Sequence, residues 1–181
     1  MTMQISFELS DSDLNFFRKA LKQSRRAVRD ADEAEIIDAV RVVLDEIRQN
    51  EPLPDFVSKR IPELESLISM LVDEEWRLPE ADRKRLLATF IYFADPEDIL
   101  PDHIPVIGYL DDVIIIELVV RELHHVRIAY EDFCQFRDDF DNDKGKDIDP
   151  AIRRDRIDRQ RQQLHQRMQR RSAQQQKSKL W

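Results

Sequence analysis

The sequence predicts an all-α fold, and three observations lead to that prediction. Apolar residues recur every three or four positions along most of the chain, as they do on one face of an α-helix. Only two glycines occur in 181 residues, and eight prolines separate the periodic segments. Charged residues make up 36% of the sequence, which favours helices with solvated faces over sheets. The expected architecture is a compact bundle of about five helices around a central apolar helix, followed by a charged C-terminal tail that is either helical or disordered.

The first two helices are predicted from capping residues that precede apolar stripes. Ser10 or Ser12 caps the first helix. Asp32 caps the second helix, and Glu35 follows it at the spacing of a capping box. The stripes are Leu14, Phe17, Leu21 and Val28 in the first helix and Ile36, Val40, Val43 and Ile47 in the second.

Prolines delimit the next two helices. Pro52 and Pro54 end the second helix, because proline lacks an amide donor and clashes with the preceding turn. A short helical turn is expected over residues 55–60, and Pro62 and Pro79 then suit the first turns of the third and fourth helices. Their stripes are Leu64, Leu67, Ile68, Leu71 and Val72 in a third helix that runs to about Trp76, and Leu86, Leu87, Phe90, Ile91 and Ala94 in the fourth.

The fifth helix is expected from about residue 111 to residue 138, and its apolar first half predicts a position at the centre of the bundle. Its most apolar stretch, residues 113–120, is interrupted by Glu117 and is shorter than the roughly 20 residues of a membrane span. We therefore expect no transmembrane segment. We see no signal peptide, and Cys134 is the only cysteine, so we expect a cytoplasmic location.

Charge divides the chain unevenly. Residues 1–145 carry 18 Lys and Arg against 33 Asp and Glu, whereas residues 146–181 carry 11 against 4. We expect a helical domain over residues 1–143 and an Arg/Gln-rich tail over residues 144–181. The tail has too few large apolar residues for a second core: Ile152, Ile157, Leu164 and Met168. Three interpretations stay open for residues 150–181: they pair with the acidic body, bind nucleic acid, or bind an anionic membrane surface, which would place the protein at the membrane periphery.

Residues 95–112 form a turn rich in proline and aspartate that concentrates the unusual chemistry of the chain. Its apolar residues are too numerous for a free loop, so its carboxylates come close to the core and need donors, a cation or a raised pKa. In one interpretation these carboxylates cap helices and bind backbone amides. In the other, several converge on a divalent cation, for which oxygen ligands favour magnesium, calcium or manganese. The candidate metal ligands are Asp98, Asp102, Asp111 and Asp112.

The spacing of three prolines, one glycine and several aspartates in this turn is specific. The residues that define it are Asp95, Pro96, Asp98, Pro101, Asp102, Pro105, Gly108, Asp111 and Asp112. This pattern resembles the YkvA-like family, a bacterial helical domain of unknown function. The resemblance implies a small helical domain, sometimes membrane-associated, and no established reaction, so it carries over no catalytic or cofactor-binding residue. At His103 the family more often has an apolar or aromatic residue.

The functional prediction is a non-enzymatic helical module that binds a protein partner or forms a homo-oligomer. A phosphate-binding loop needs clustered glycines and a serine nucleophile elbow needs its own motif, and the sequence has neither. Cys134 lies beside acidic residues rather than in the electropositive setting of a reactive thiol. Two alternatives stay open: binding of a divalent cation by the turn at residues 95–112, and binding of a polyanion or membrane surface by the basic tail.

Overall fold

The structure is a computed structural model that describes residues 8–27, 32–49, 55–94, 110–144 and 148–178. Every regular element in these ranges is an α-helix, so the predicted all-α class is confirmed. In chain order they are α1 (Asp11–Ala27), α2 (Glu33–Gln49), α3 (Asp55–Ser58), α4 (Ile61–Val72), α5 (Glu80–Phe93), α6 (Leu110–Glu122), α7 (His124–Lys144) and α8 (Pro150–Ser178).

The described residues thus form eight helices where the sequence predicted about five. The short helix α3 agrees with the turn expected over residues 55–60. The predicted fifth helix is divided at Leu123, whose carbonyl accepts the amides of Val126 and Arg127 at 2.9 Å each and so starts a new helix. The tail, predicted as helical or disordered, is the helix α8.

Side chains cap the first two helices as the sequence indicates. The amide of Ser10 donates to the Asp13 carboxylate at 2.8 Å, and the amide of Asp13 donates to the Ser10 hydroxyl at 3.4 Å. This reciprocal pair is a capping box, and it selects Ser10 over Ser12. Asp32 accepts the amide of Ala34 at 2.8 Å and caps α2.

The chain divides into two compact units. The first unit consists of Met1–Pro62 and Lys84–Leu118, and the second of Glu63–Arg83 and Val119–Trp181. The domain boundary expected between residues 143 and 144 stays a prediction.

In the first unit the buried apolar side chains come mainly from α2, α5 and α6. They include Ile36, Ile37, Val40, Leu44 and Ile47 from α2, Leu86, Leu87 and Phe90 from α5, and Ile115 and Ile116 from α6. The stripes predicted for the second and fourth helices are therefore confirmed at most of their positions.

Helix α6 carries the most apolar stretch of the sequence. The acidic residue that interrupts this stretch, Glu117, forms an ion pair. Glu117 forms an ion pair with Arg60 at 2.7 Å, and both side chains are partly buried in the first unit. Among the described helices, none has both the length and the apolar composition needed to cross a membrane.

The second unit contains α7 and α8, which pack against each other. Its buried apolar residues come from α4, α7 and α8, together with Leu123, which precedes α7. They include Leu64, Leu67, Met70 and Leu71 from α4, Val126, Ala129 and Phe133 from α7, and Ile157, Leu164 and Met168 from α8. Three of the four large apolar residues of the tail are thus buried, whereas Ile152 is 56% exposed. The tail lacks a core of its own but completes the core of the second unit.

The different burial of Leu164 and Ile152 gives a matched test of how α8 docks. Leu164 is 4% exposed, and the substitution Leu164→Ala should lower the free energy of unfolding by about 2–5 kcal/mol, because removal of a buried leucine side chain leaves a cavity. The exposed Ile152→Ala should change it by less than about 0.5 kcal/mol. Urea unfolding followed by Trp76 fluorescence in a Trp181→Phe background measures both. Equally small effects of the two substitutions would contradict the docking of α8.

Candidate functional site

The segment at residues 73–79 joins α4 to α5, and we call it the Trp76 turn. The carboxylate oxygen Oδ1 of Asp73 accepts the amides of Glu75 and Trp76 at 2.9 Å each, which ends α4 before them. Arg77 has a φ of 51°, an uncommon conformation for a residue other than glycine, and its amide donates to the carbonyl of Asp73 at 3.0 Å. The prediction that the third helix runs to Trp76 was therefore wrong, because the aspartate side chain takes up the amides that the helix would use.

Asp73 also ties this turn to α7. Its second oxygen, Oδ2, accepts the Tyr130 hydroxyl at 3.2 Å and Nη1 of Arg137 at 2.8 Å. The Asp73 side chain is only 10% exposed, so these bonds form in a largely desolvated place. Both oxygens of this carboxylate are engaged, which fixes the turn against α7.

The indole of Trp76 fills the space beneath the turn and is fully buried, at 0% exposure. Its ring lies 5.6 Å from Tyr130, 5.2 Å from Phe133 and 4.6 Å from His165, measured between ring centroids. The first two residues belong to α7 and His165 belongs to α8. Burial of the indole therefore requires the turn and both helices together.

Arginines of α8 bind the acidic groups around Trp76. Arg153 makes a two-bond contact with Asp141 at 2.8 Å for each bond and also pairs with Glu75. Arg161 donates to the backbone carbonyl of Glu75 at 3.0 Å. Further along α8, Arg167 pairs with Asp132 of α7. We call this set of contacts the arginine clamp: Asp73, Glu75, Asp132, Arg137, Asp141, Arg153, Arg161 and Arg167.

The contacts of Arg153 shift the pKa values of Glu75, Asp141 and Arg153 itself in the directions that favour ion pairs. Hydrogen bonding from Arg153 holds the pKa of Glu75 below its usual value, and the same arginine does so for Asp141. The Asp141 and Glu75 carboxylates in turn hold the pKa of Arg153 above its usual value. These three groups are charged throughout the neutral range, so the ion pairs of Arg153 persist there.

Two nucleophilic side chains of α7 lie next to the clamp. Arg137 Nη2 is 3.7 Å from the Cys134 sulfur, yet burial raises the pKa of that thiol. Burial likewise raises the pKa of Tyr130. Both groups are therefore protonated at neutral pH, which suits a packed structural cluster better than a nucleophilic centre.

Of the residues predicted as metal ligands, Asp111 is the one whose side chain the structure describes. Its carboxylate is 1% exposed and accepts the Tyr92 hydroxyl at 3.4 Å, which links α5 to the first turn of α6. Asp98 and Asp102 lie outside the described residues, as does the side chain of Asp112.

The remaining residues of the motif, from Asp95 to Gly108, also lie outside the described residues. Within the described part, no group of three or more His, Cys, Asp or Glu side chains is arranged to hold a metal ion. The metal site at residues 98–112 stays a prediction.

Fold and site together define an all-α protein whose C-terminal helix is held on a helical unit by arginine–carboxylate pairs. Residues 83–118 match the profile of a family described as "Protein of unknown function (DUF1232)". This confirms the resemblance drawn from residues 95–112, because the YkvA-like pattern lies inside the matched segment and is consistent with that family. No curated protein and no solved structure matches the chain. The family description names no activity, so the match assigns none.

The sequence did not predict the Trp76 turn, and it predicted the arginine clamp only in general form, as pairing of the basic tail with the acidic body. The individual ion pairs could not be assigned because they join residues far apart in the chain. The end of α4 was misplaced because this largely apolar helix has no clear stop signal in its sequence. The signal that could have revealed the turn is Asp73, a residue that favours turns, six positions before Pro79.

The pair formed by Glu75 and Arg153 should contribute measurably to stability, because both side chains are about two-thirds buried. A double-mutant cycle with Glu75→Ala and Arg153→Ala should give a coupling free energy of about 1 kcal/mol. The exposed pair of Asp155 and Arg159 on the same helix is the control and should give less than about 0.5 kcal/mol. Equal coupling in both cycles would show that the clamp does not hold α8.

His165 should make the stability of the second unit depend on pH. Burial lowers the pKa of its imidazole and nearby Arg161 adds to the shift, so the unfolded chain binds a proton more readily than the folded chain. The free energy of unfolding should therefore fall as the pH drops from about 7.5 through the unfolded histidine pKa of about 6.5. The slope should decrease in His165→Gln and be unchanged in the exposed control His124→Gln, as measured by urea unfolding at a series of pH values. A His165→Gln slope equal to that of the wild type would show that this imidazole does not titrate abnormally.

Proposed function

We propose that this chain is a non-enzymatic interaction module and that α8 presents its binding surface. The observation that carries this proposal is the division of α8 into two stripes of opposite burial. The inner stripe is buried and consists of Ile157, Arg161, Leu164 and Met168. The outer stripe is exposed and consists of Ile152, Arg156, Arg159, Gln163, Gln166 and Arg170.

The inner stripe and the arginine clamp hold the helix, so the outer stripe is preorganised. A surface that is already ordered loses less conformational entropy on binding, which favours recognition by a rigid helix face. The positive charges on the inner side of α8 form ion pairs within the second unit with Glu75, Asp132 and Asp141. On the outer stripe Arg156 and Arg170 form no ion pair with any described residue, so their charge faces solvent.

The spacing of the outer stripe supports a helical and acidic protein partner. Its members alternate in steps of three and four residues, which aligns them along one side of a helix. Arginine favours carboxylates through its planar fork, and glutamine amides both donate and accept hydrogen bonds. Ile152 adds an exposed apolar contact at one end. Phosphate binding would use the arginines alone, whereas a protein helix would use all three kinds of side chain.

Site-specific photocrosslinking in the native cell tests this proposal. A photoreactive residue at Gln163 should give a discrete protein adduct. The charge reversal Arg156→Glu with Arg170→Glu should remove at least about nine-tenths of that adduct, because like charges then oppose an acidic partner. The same photoreactive residue at Glu46, exposed on α2, is the position control. Lys59→Glu with Lys84→Glu, also exposed, is the charge control and should leave the adduct intact.

The masses of the adducts separate the outcomes. An adduct of twice the chain mass identifies a homo-oligomer and another fixed mass identifies a different protein, and both support the proposal. Adducts that are degraded by nuclease would assign the outer stripe to nucleic acid and reject the proposal. A product that forms equally from Glu46, or that survives the reversal at Arg156 and Arg170, would also reject it.

A further inference from the structure

Helix α1 is a basic and amphipathic helix within an otherwise acidic part of the chain. Within residues 11–27 there are five lysines and arginines and two aspartates, although residues 1–145 as a whole are strongly acidic. Arg18, Lys19 and Lys22 are exposed, and the sequence continues the basic run with Arg25 and Arg26. The basic residues therefore occupy successive turns of one helix.

The apolar residues of α1 are only partly covered. Leu21 is buried, while Leu14 and Phe17 are half-buried. Phe16 is 57% exposed and packs edge-to-face on Phe17, with ring centroids 5.7 Å apart. It lies three residues before Lys19 and therefore on the same side of the helix.

We infer that α1 is a second binding surface, separate from the outer stripe of α8, and that it binds anionic lipid headgroups at a membrane surface. The basic run from residue 18 to residue 26 extends over about 12 Å of helix at about 1.5 Å per residue, which suits a plane of charge better than a single anion. A helix with cations on its polar face and an exposed phenylalanine beside them has the composition of helices that lie in the membrane interface.

The charge of the chain makes this binding directional. The net charge of −8 repels an anionic membrane from most of the molecule, whereas the basic face of α1 attracts it. The attraction acts within about one Debye length, so a pose with α1 toward the lipid is favoured over poses that present the acidic helices. Phe16 can then enter the headgroup region while the buried Leu21 keeps its place in the first unit.

Co-sedimentation of the full chain with vesicles tests the inference. Vesicles of phosphatidylcholine with about 30% phosphatidylglycerol should bind the protein, vesicles of phosphatidylcholine alone should not, and about 0.5 M salt should release it. Lys19→Glu with Lys22→Glu should weaken binding at least about tenfold. Phe16→Ser should weaken it about fivefold, because the aromatic insertion is lost.

Matched controls use side chains of equal exposure outside α1. Val42 on α2 is also 57% exposed, so Val42→Ser should leave vesicle binding unchanged. Lys59→Glu with Lys84→Glu alters the net charge as much as the α1 reversal and should have less than about twofold effect. Arg156→Glu with Arg170→Glu should retain binding, which distinguishes this surface from the proposed function of α8.

Three results would overturn the inference. The first is a wild-type chain that does not bind the anionic vesicles. The second is an equal loss of binding in the Lys59 and Lys84 control or in the α8 variant. The third is a change of the sedimentation coefficient in Lys19→Glu with Lys22→Glu when neither this variant nor the wild type binds vesicles. That result would assign the basic face of α1 to self-association with a second copy of the chain.

Discussion

Burial of the Trp76 indole is the constraint on which the second unit depends. The turn that carries this residue is too short to cover it, so cover comes from Phe133 on α7 and from His165 on α8. Asp73 holds the turn through its bond from the Trp76 amide, and Arg77 adopts a strained backbone angle to complete the turn. Helix α8 therefore contributes to the core of the second unit.

The apolar contacts and the arginine clamp contribute differently to this docking. Burial of Ile157, Leu164 and Met168 stabilises the docked helix by about 1.5–3 kcal/mol for each side chain. Each partly exposed ion pair contributes only about 0–1 kcal/mol. The apolar residues thus supply most of the stability. The pairs of Arg153 and Arg167 fix the register of the helix, because a shift along its axis would separate them from Asp141 and Asp132.

Much of the first unit could be predicted from the sequence, because its signals are local. Asp32 caps α2 and the stripe with Val40 is buried, since both depend on residues within a few positions. The second unit depends on contacts between distant positions. The apolar residues of α8 are too few to form a core, but three of them complete a core that other helices supply. The division at Leu123 has no proline or glycine to mark it. The site predicted at residues 98–112 is described only through buried Asp111.

The matched segment at residues 83–118 corresponds closely to the second stretch of the first unit, Lys84–Leu118. It covers most of α5 and most of α6, and it contains the hydrogen bond between Tyr92 and Asp111 as well as Glu117, the partner of Arg60. These contacts hold helices together. The surfaces proposed for binding lie on α1 and α8, outside the matched segment. The match at residues 83–118 therefore carries no information on the binding proposed for α1 and α8, which has to be argued from the residues of those two helices.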